Sequence, residues 1–154
     1  MDGRSKREIV DFLEQYPVKK RGIAALEQKI KELDELCFPN GVDPTKDKVT
    51  SSNTQDMVFN TVVKREKERR RLEKRKKQYE RFVELHDMAF CSLTDTEQLI
   101  LSKLYHGRRY ADGKIWLVRN GFPYSTLYRI QKKGLEKMHR MVFGNKDYVV
   151  IRKK

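Results

Sequence analysis

Apolar residues recur at every third or fourth position near the start of the chain, which is the spacing of one face of an α-helix. Two such stretches, residues 5–16 and 18–37, are separated by Pro17, whose ring removes a backbone donor and usually ends a helix. Residues 38–51 contain two prolines and an Asn-Gly pair, which are typical of a loop. The pattern predicts two amphipathic helices joined at Pro17 and then a loop.

A long uninterrupted helix is predicted after this loop. Ser52 and Gln55 have the spacing of a capping box, in which two side chains bond free amides of the first turn. Residues 53–90 contain neither proline nor glycine. The centre, residues 64–78, has 13 charged residues in 15, with Leu72 as its one aliphatic residue. So polar a segment has no broad face to bury, and we expect it to bridge two packed regions through solvent. Phosphate contact by Lys64–Lys77 is the alternative.

The remaining chain, residues 92–154, is predicted to form a second helical unit. Thr94 and Glu97 make another capping box, and the apolar helix face that follows ends at Gly107. Asp112 is a candidate N-cap for a short helix over residues 113–120. The tail over residues 148–154 would add a short strand or fray. With helical periodicity throughout, the expected fold is all-α.

Residues 113–132 meet the demands of two helices that cross through a tight turn. Such a unit needs a glycine where the backbone turns with positive φ, and apolar residues where the helices touch. Gly121 supplies the turn, and Phe122 directly after it supplies a core residue. Pro123 stands where Ser or Thr commonly caps the next helix, a position at which its missing N–H costs little. The other expected core residues are Trp116, Leu127 and Ile130.

The outer face of the second helix in this unit is polar and basic. Hydroxyl, guanidinium and ammonium groups of this kind bond base edges or neutralise phosphates, although a basic helix face can also be merely solvated. The candidate DNA-binding residues on this helix are Tyr124, Ser125, Thr126, Tyr128, Arg129, Lys132 and Lys133. The turn that precedes the helix-turn-helix adds Arg108, Arg109 and Lys114, because such turns commonly touch the DNA backbone.

The net charge of +13 is distributed unevenly along the 154 residues. Residues 1–63 carry 10 Lys or Arg against 11 Asp or Glu, whereas residues 92–154 carry 14 against 5. A one-sided basic distribution is expected for a protein that binds a polyanion, most often nucleic acid. We therefore predict a helical oligomerisation or interaction region over residues 1–91 and a helix-turn-helix DNA-binding domain over residues 92–154.

Other functional classes find little support in the sequence. Cys37 and Cys91 have no CxxC partner and are expected to be reduced, as in a cytoplasm. The three histidines lack metal-ligand spacing, and no catalytic motif is present, so we expect no metal, no cofactor and no enzymatic activity. No segment approaches the roughly 20 apolar residues of a membrane span.

Two segments, LTDTEQLILSKLYHG and IWLVRNGFPYSTLYRIQKKGLEKM, resemble the fourth conserved region of bacterial sigma factors. The order of the whole chain is similar to phage and prophage late-gene regulators of the RinA and ArpU type. In that resemblance a helical segment ending near "ELC" precedes a loop, and Ser-Asn-Thr, here from Ser52, begins the long helix. The resemblance implies DNA contacts by Tyr124, Ser125, Thr126, Tyr128, Arg129 and Lys132.

The expected function is a sequence-specific, DNA-binding transcriptional activator of phage late genes in the cytoplasm of a bacterial host. The N-terminal helices would form a homodimer or contact host RNA polymerase, because two thin helices bury little apolar surface alone. Two alternatives stay open. One is a DNA-packaging component such as a small terminase subunit, and the other is a protein-interaction module that does not bind DNA.

Overall fold

The structure of the protein, a computed structural model, describes residues 1–36, 52–107 and 109–152. The side chains of residue 36 and of residues 52–57 and 145–152 are outside this description. The described chain folds into helices without strands, which confirms the all-α prediction. The helices are α1 (Gly3–Leu36), α2 (Ser52–Cys91), α3 (Asp95–Tyr105), α4 (Tyr110–Arg119) and α5 (Tyr124–Arg152).

Helix α1 continues through Pro17, so the prediction of two helices joined there is wrong. Proline in a helix interior costs about 3 kcal/mol relative to alanine. Here the helix is packed on both sides of it, with Leu13 fully buried before the proline and Leu26 buried after it. Because each flank is held by its own tertiary contacts, packing outweighs the local preference for a break.

Helix α2 confirms the prediction of one long helix over residues 53–90. Its first residue is Ser52, but the side chains of the proposed Ser52–Gln55 capping box lie outside the described residues, as do Cys37 and the predicted loop over residues 38–51. At the other end of the helix Cys91 is an exposed free thiol, so it contributes nothing to the core.

The chain forms two compact units, one made of residues 1–20 and 81–154 and the other of residues 21–80. This grouping differs from a division between residues 91 and 92, since the start of α1 packs in the same unit as α3, α4 and α5. The core of this first unit combines residues from all five helices and from Leu93: Ile9, Phe12, Leu13, Ala89, Leu93, Ile100, Leu101, Leu104, Tyr105, Leu117, Leu127, Leu135 and Met138.

The second unit, residues 21–80, is an antiparallel pair formed by the second part of α1 and most of α2. Gly22 lies against Tyr79, and further along the pair Asp34 meets Arg69, so the two helices run in opposite directions. Leu72, the one aliphatic residue of the charged run, is buried. The charged run thus lies along one side of a helix pair that has a narrow apolar seam.

The predicted capping box at the start of α3 is confirmed. Thr94 Oγ1 accepts a hydrogen bond from the Glu97 amide at 3.3 Å, and Glu97 Oε2 accepts one from the Thr94 amide at 3.1 Å. Gly107, with φ of 91°, follows the end of α3 as predicted.

The predicted start of α4 is wrong. Helix α4 begins at Tyr110 with Arg109 as its N-cap, because the Gly113 amide already bonds the Arg109 carbonyl oxygen at 3.1 Å. Asp112 therefore lies inside the first turn, where a carboxylate favours the positive end of the helix dipole. At the end of the chain, residues 148–152 belong to α5, so of the two predicted alternatives, a short strand or a frayed end, the strand does not form.

Candidate nucleic-acid interface

The turn between α4 and α5 has the hydrogen bonds of a Schellman motif. The Phe122 amide donates to the Leu117 carbonyl oxygen at 3.1 Å, and the Gly121 amide donates to the Val118 carbonyl oxygen at 3.3 Å. Gly121 has φ of 96°, in the left-handed region that favours glycine, and Phe122 packs half-buried against the core. The predicted glycine turn at Gly121, followed by Phe122 packed against the core, is therefore confirmed.

Asn120 and Pro123 both make hydrogen bonds that fit this turn. The Asn120 side-chain amide donates to the Trp116 carbonyl oxygen at 2.7 Å, in addition to the bond at 3.0 Å that this oxygen accepts from the Asn120 backbone amide. The Pro123 carbonyl oxygen accepts from the Leu127 amide at 2.9 Å and so begins the hydrogen bonding of α5. Proline at this position presents no N–H that would need a partner.

Close helix contacts hold α4 and α5 against α3. A Cβ built on Gly113 would overlap the carbonyl oxygen of Lys103, so α4 crosses α3 with backbone against backbone. A Cβ on Gly134 of α5 would lie 3.1 Å from Leu101 Cδ1. Both glycines are buried. The absence of side chains at these two positions sets how closely the helix-turn-helix approaches the rest of the core.

The residues expected in the core of the helix-turn-helix lie there. Leu127 is fully buried, and Ile130 and Trp116 are half-buried against the same cluster. The Lys103 ammonium lies 4.2 Å from the centre of the Trp116 ring, a cation–π contact on the outer side of the indole. Leu127 and Ile130 therefore define the side of α5 that packs on the core, and the opposite side of the helix faces away from the core.

A buried polar chain that sequence reasoning missed also orients α5. Gln131 Nε2 donates to the Tyr105 hydroxyl at 2.7 Å, and the Tyr110 hydroxyl donates to Gln131 Oε1 at 3.2 Å. One residue from each of α3, α4 and α5 is joined in this way, and burial raises the pKa of Tyr105 to about 12. A glutamine on an otherwise basic helix carries no signal of this role in the sequence.

The capping residue Glu97 forms a second tie to α5. Its carboxylate is almost completely buried and accepts two bonds from the Lys137 ammonium, at 2.9 and 3.1 Å. Burial pushes the pKa of Glu97 upward, but the bonds from Lys137 and from the Thr94 amide outweigh it, so the pKa lies below its usual value. The carboxylate is therefore ionised and paired at neutral pH.

The predicted DNA-binding side chains of α5 share an open face. Tyr124 is 54% exposed and Tyr128 is 53% exposed, although both are large aromatic residues. Ser125 is also exposed and Thr126 is half-buried. The cations of this face are exposed as well: Arg129, Lys132 and Lys133. We call these seven residues the α5 face. The first two helical turns of α5 carry most of this face and come directly after the Gly121 loop. A recognition helix has the same position in a helix-turn-helix.

Lys114 of α4 joins the α5 face. Its ammonium donates to the Tyr128 hydroxyl at 2.9 Å and lies 5.0 Å from the ring centre of Tyr124 and 4.9 Å from that of Tyr128. The hydrogen bond raises the pKa of Lys114 and lowers that of Tyr128. The sequence predicts Lys114 in a turn before the helix-turn-helix, whereas the structure places it inside α4 with its ammonium close to two aromatic rings of α5.

The other basic residues that concern this face are Arg109, Arg108 and Lys6. Arg109 is exposed at the N-terminal end of α4, and Arg108 lies outside the described residues. Lys6, on the first turns of α1, is close enough to contribute to the lowered pKa of Tyr128. Because Lys6 is more than a hundred residues away in the chain, nothing in its local sequence indicated that it lies near the α5 face.

Two histidines with no recognisable motif lie together elsewhere in the first unit. His86 Nε2 and His106 Nε2 are 3.1 Å apart, and the His86 ring stacks on Tyr16. Among the residues that the structure describes, no group of three His, Cys, Asp or Glu could hold a metal ion. The same residues include no helix with the length and apolar character needed to cross a membrane.

Comparison of the chain with models of protein families, with curated proteins and with solved structures finds no match. The resemblance to sigma factors and to RinA and ArpU regulators stays a prediction from short sequence patterns. The residues and their geometry are therefore the basis of the functional proposal.

Proposed function

We propose that the protein is a sequence-specific DNA-binding regulator of transcription, in which the α5 face enters the major groove of duplex DNA. The observation that carries this proposal is the α5 face itself: an exposed run of hydroxyl and cationic side chains that starts directly after a glycine turn. Arg129 has the fork of donors suited to guanine, and Lys132 and Lys133 suit phosphates.

Rigid support of α5 strengthens this proposal, because base readout needs side chains held at fixed positions. The helix is tied through Gln131 to α3 and α4, and through Lys137 to the buried Glu97. Lys114, held between Tyr124 and Tyr128, adds a cation whose ammonium is already placed on the face. Each of these features restricts the positions of the basic side chains that would contact DNA.

The proposal extends to an activator of phage late genes that works as a homodimer in the bacterial cytoplasm and meets host RNA polymerase. The resemblance noted from the sequence supports the regulatory role. Exposed apolar side chains near the start of α2 support association with another protein surface, since Val58 is 48%, Phe59 68% and Val62 54% exposed.

Gel-shift titration on duplex DNA selected from a random pool tests the DNA-binding role. The double variant Arg129→Ala with Lys132→Ala is expected to weaken binding by on the order of 100-fold, because a base contact is worth about 1–3 kcal/mol and a phosphate contact is lost as well. Sequence preference should fall together with affinity.

A matched control removes the same charge elsewhere. Lys29→Ala with Lys31→Ala alters two exposed lysines of α1 and is expected to change affinity far less. Equal binding by the wild type and the Arg129/Lys132 variant would show that α5 is not the recognition helix. A wild type that binds no duplex even at low salt would favour a protein-interaction module, and a multi-subunit ring seen by light scattering would favour a packaging component.

A further inference from the structure

The central part of α2 shows a separation of charge that the sequence does not reveal. Within residues 67–78, every exposed residue is a cation except Gln78, and the carboxylates Glu68 and Glu73 are half-buried. Glu66, directly before this segment, is an exposed carboxylate. The exposed cations that lie on one side of the helix, at spacings of three, four and seven residues, are Lys67, Arg70, Arg71, Lys74 and Lys77. We call them the α2 stripe.

Two cations on the side of α2 that faces α1, Arg69 and Lys76, pair with carboxylates of both helices. Glu73 pairs with Arg69 at 3.3 Å, and Arg69 also reaches Asp34 on α1 at 3.3 Å. Lys76, directed toward α1, pairs with Glu27 at 3.2 Å. The α2 stripe itself has two carboxylate partners, Glu66 for Arg70 and Glu68 for Arg71. With five cations against two carboxylates, this side of the helix keeps an excess of positive charge.

Three members of the α2 stripe, Lys67, Lys74 and Lys77, form no ion pair with any residue that the structure describes. The other two, Arg70 and Arg71, pair only with residues of their own helix, Glu66 at 3.4 Å and Glu68 at 2.6 Å. Exposed pairs of this kind are worth at most about 1 kcal/mol and exchange readily for a stronger anion. All five cations are therefore available to an external polyanion.

The chemistry of the α2 stripe fits the backbone of duplex nucleic acid better than a protein or a single strand. Protein interfaces are built on apolar or aromatic anchors and are depleted of lysine at their centres. Single strands are held by aromatic platforms on which bases stack. The exposed residues of the stripe include neither kind of group. A row of long, flexible cations spanning about 15 Å of helix suits the dense phosphate charge of a duplex.

We propose that the α2 stripe is a second DNA-binding surface, which grips the sugar-phosphate backbone of duplex DNA without regard to sequence. This inference rests on the proposed function, since it assumes that the protein works on DNA through the α5 face. The stripe supplies affinity and salt dependence, and the α5 face supplies sequence preference.

The test compares two charge-matched double variants of the full-length protein. Lys74→Gln with Lys77→Gln removes two cations from the α2 stripe, and Lys29→Gln with Lys31→Gln removes two exposed cations from α1. Glutamine has nearly the same helix propensity as lysine, so both variants keep the helices, which circular dichroism checks. Dissociation constants are measured between 50 and 300 mM NaCl, on a duplex selected by the wild type and on an unrelated duplex.

For the stripe variant we expect the slope of log affinity against log salt to become shallower by nearly 2. Affinity at about 100 mM salt should fall on the order of tenfold, equally on both duplexes. The ratio between selected and unrelated DNA stays the same, whereas the Arg129/Lys132 variant lowers that ratio. The α1 control keeps a slope close to that of the wild type.

The two proposals fail in different ways. If the stripe variant keeps the wild-type slope while the Arg129/Lys132 variant loses binding, the α2 stripe is wrong and the recognition helix stands. Equal changes in the stripe variant and the α1 control would also overturn the stripe, because only total charge would then matter. Failure of the wild type to bind either duplex would overturn both.

Discussion

Each of the two compact units of this protein is stabilised internally by a different kind of interaction. In the first unit, Leu117, Leu127 and Met138 are fully buried, and each such side chain contributes about 1.5–3 kcal/mol through its removal from water. Among the described residues of the second unit, the buried apolar side chains are Leu26 and Leu72. Ion pairs that are individually worth about 0–1 kcal/mol line the seam.

This difference matches what each surface is proposed to do. Reading bases requires side chains fixed within a fraction of an ångström, and the first unit supplies a packed core beneath the α5 face. Holding phosphates requires charge more than fixed position, and long cations on a solvated helix pair meet that need. Buried apolar packing is concentrated in the unit that carries the proposed base-reading surface.

The largest expected effect comes from filling the close approach of α4 to α3 at Gly113 in the first unit, and Gly22 in the second unit provides the comparison. Gly113→Ala places a Cβ against the Lys103 carbonyl, which is backbone and cannot turn aside, so we expect a loss of about 2–3 kcal/mol in the free energy of unfolding. Gly22→Ala would meet the Tyr79 ring at 2.8 Å, at the end of a side chain that can rotate, so its effect should lie within about 1 kcal/mol.

Urea denaturation measures both glycine variants. Fluorescence of Trp116, the chain's single tryptophan, reports on the first unit, and circular dichroism reports on all helices. Gly144→Ala is the control, because its new Cβ would make only an ordinary contact, 3.8 Å from Arg140 Cγ. Equal stability of the Gly113 and Gly144 variants would show that α3 and α4 do not cross as closely as described.

Acid is expected to weaken the first unit through its histidine pair. Burial lowers the pKa of His86 and lowers that of His106 to about 4, against an ordinary value of 6.5. Since the unfolded chain binds these protons more readily, the stability contributed by the neutral rings is complete above about pH 6.5. It is lost as pH falls toward 4, by up to about 1.4 kcal/mol per pH unit for each ring that gains a proton.

The geometry of the pair explains this sensitivity. The Tyr16 hydroxyl bonds Asp87 at 2.9 Å, Asp87 lies 3.3 Å from His86 Nδ1, and the two Nε2 atoms share one hydrogen bond. Two protonated rings would bring two N–H groups and two positive charges face to face. We expect His106→Gln to flatten the fall in urea midpoint between pH 7 and 5, as followed by Trp116. An unchanged slope would remove the pair as its cause.

The smallest expected effect concerns the ion pairs of the second unit. Asp34→Asn and Glu27→Gln each remove one exposed pair across the seam, so we expect losses below about 1 kcal/mol that vanish in 0.5 M NaCl. Hydrogen exchange of residues 21–36 measures this locally. A loss that persists at high salt would mean that these carboxylates act by something other than charge.

Most of the local structure could be predicted from the spacing of apolar residues and from the residues that cap helices or form turns. The capping box at Thr94, the turn at Gly121 and the buried positions Leu127 and Leu72 all follow from local rules that bind a residue to its near neighbours. Exposure of the α5 face could be predicted for the same reason, because burial of Leu127 and Ile130 fixes which side of that helix remains outside.

Features that depend on distant parts of the chain could not be predicted from these local rules. Pro17 stays helical because tertiary packing holds both of its flanks. Lys114 reaches Tyr124 and Tyr128, and Lys6 approaches Tyr128, only after α1, α4 and α5 have packed. Gln131 acquires its role from Tyr105 and Tyr110, which lie 26 and 21 residues earlier in the chain.

Site-specific photo-crosslinking tests most directly whether the α5 face meets DNA. A photoreactive amino acid replaces Ser125, at the centre of the face, or Gln28, an exposed residue of α1, in protein bound to a selected duplex. We expect covalent protein–DNA adducts from position 125 and few from position 28. DNA that is bound without any crosslink from position 125 would contradict the account.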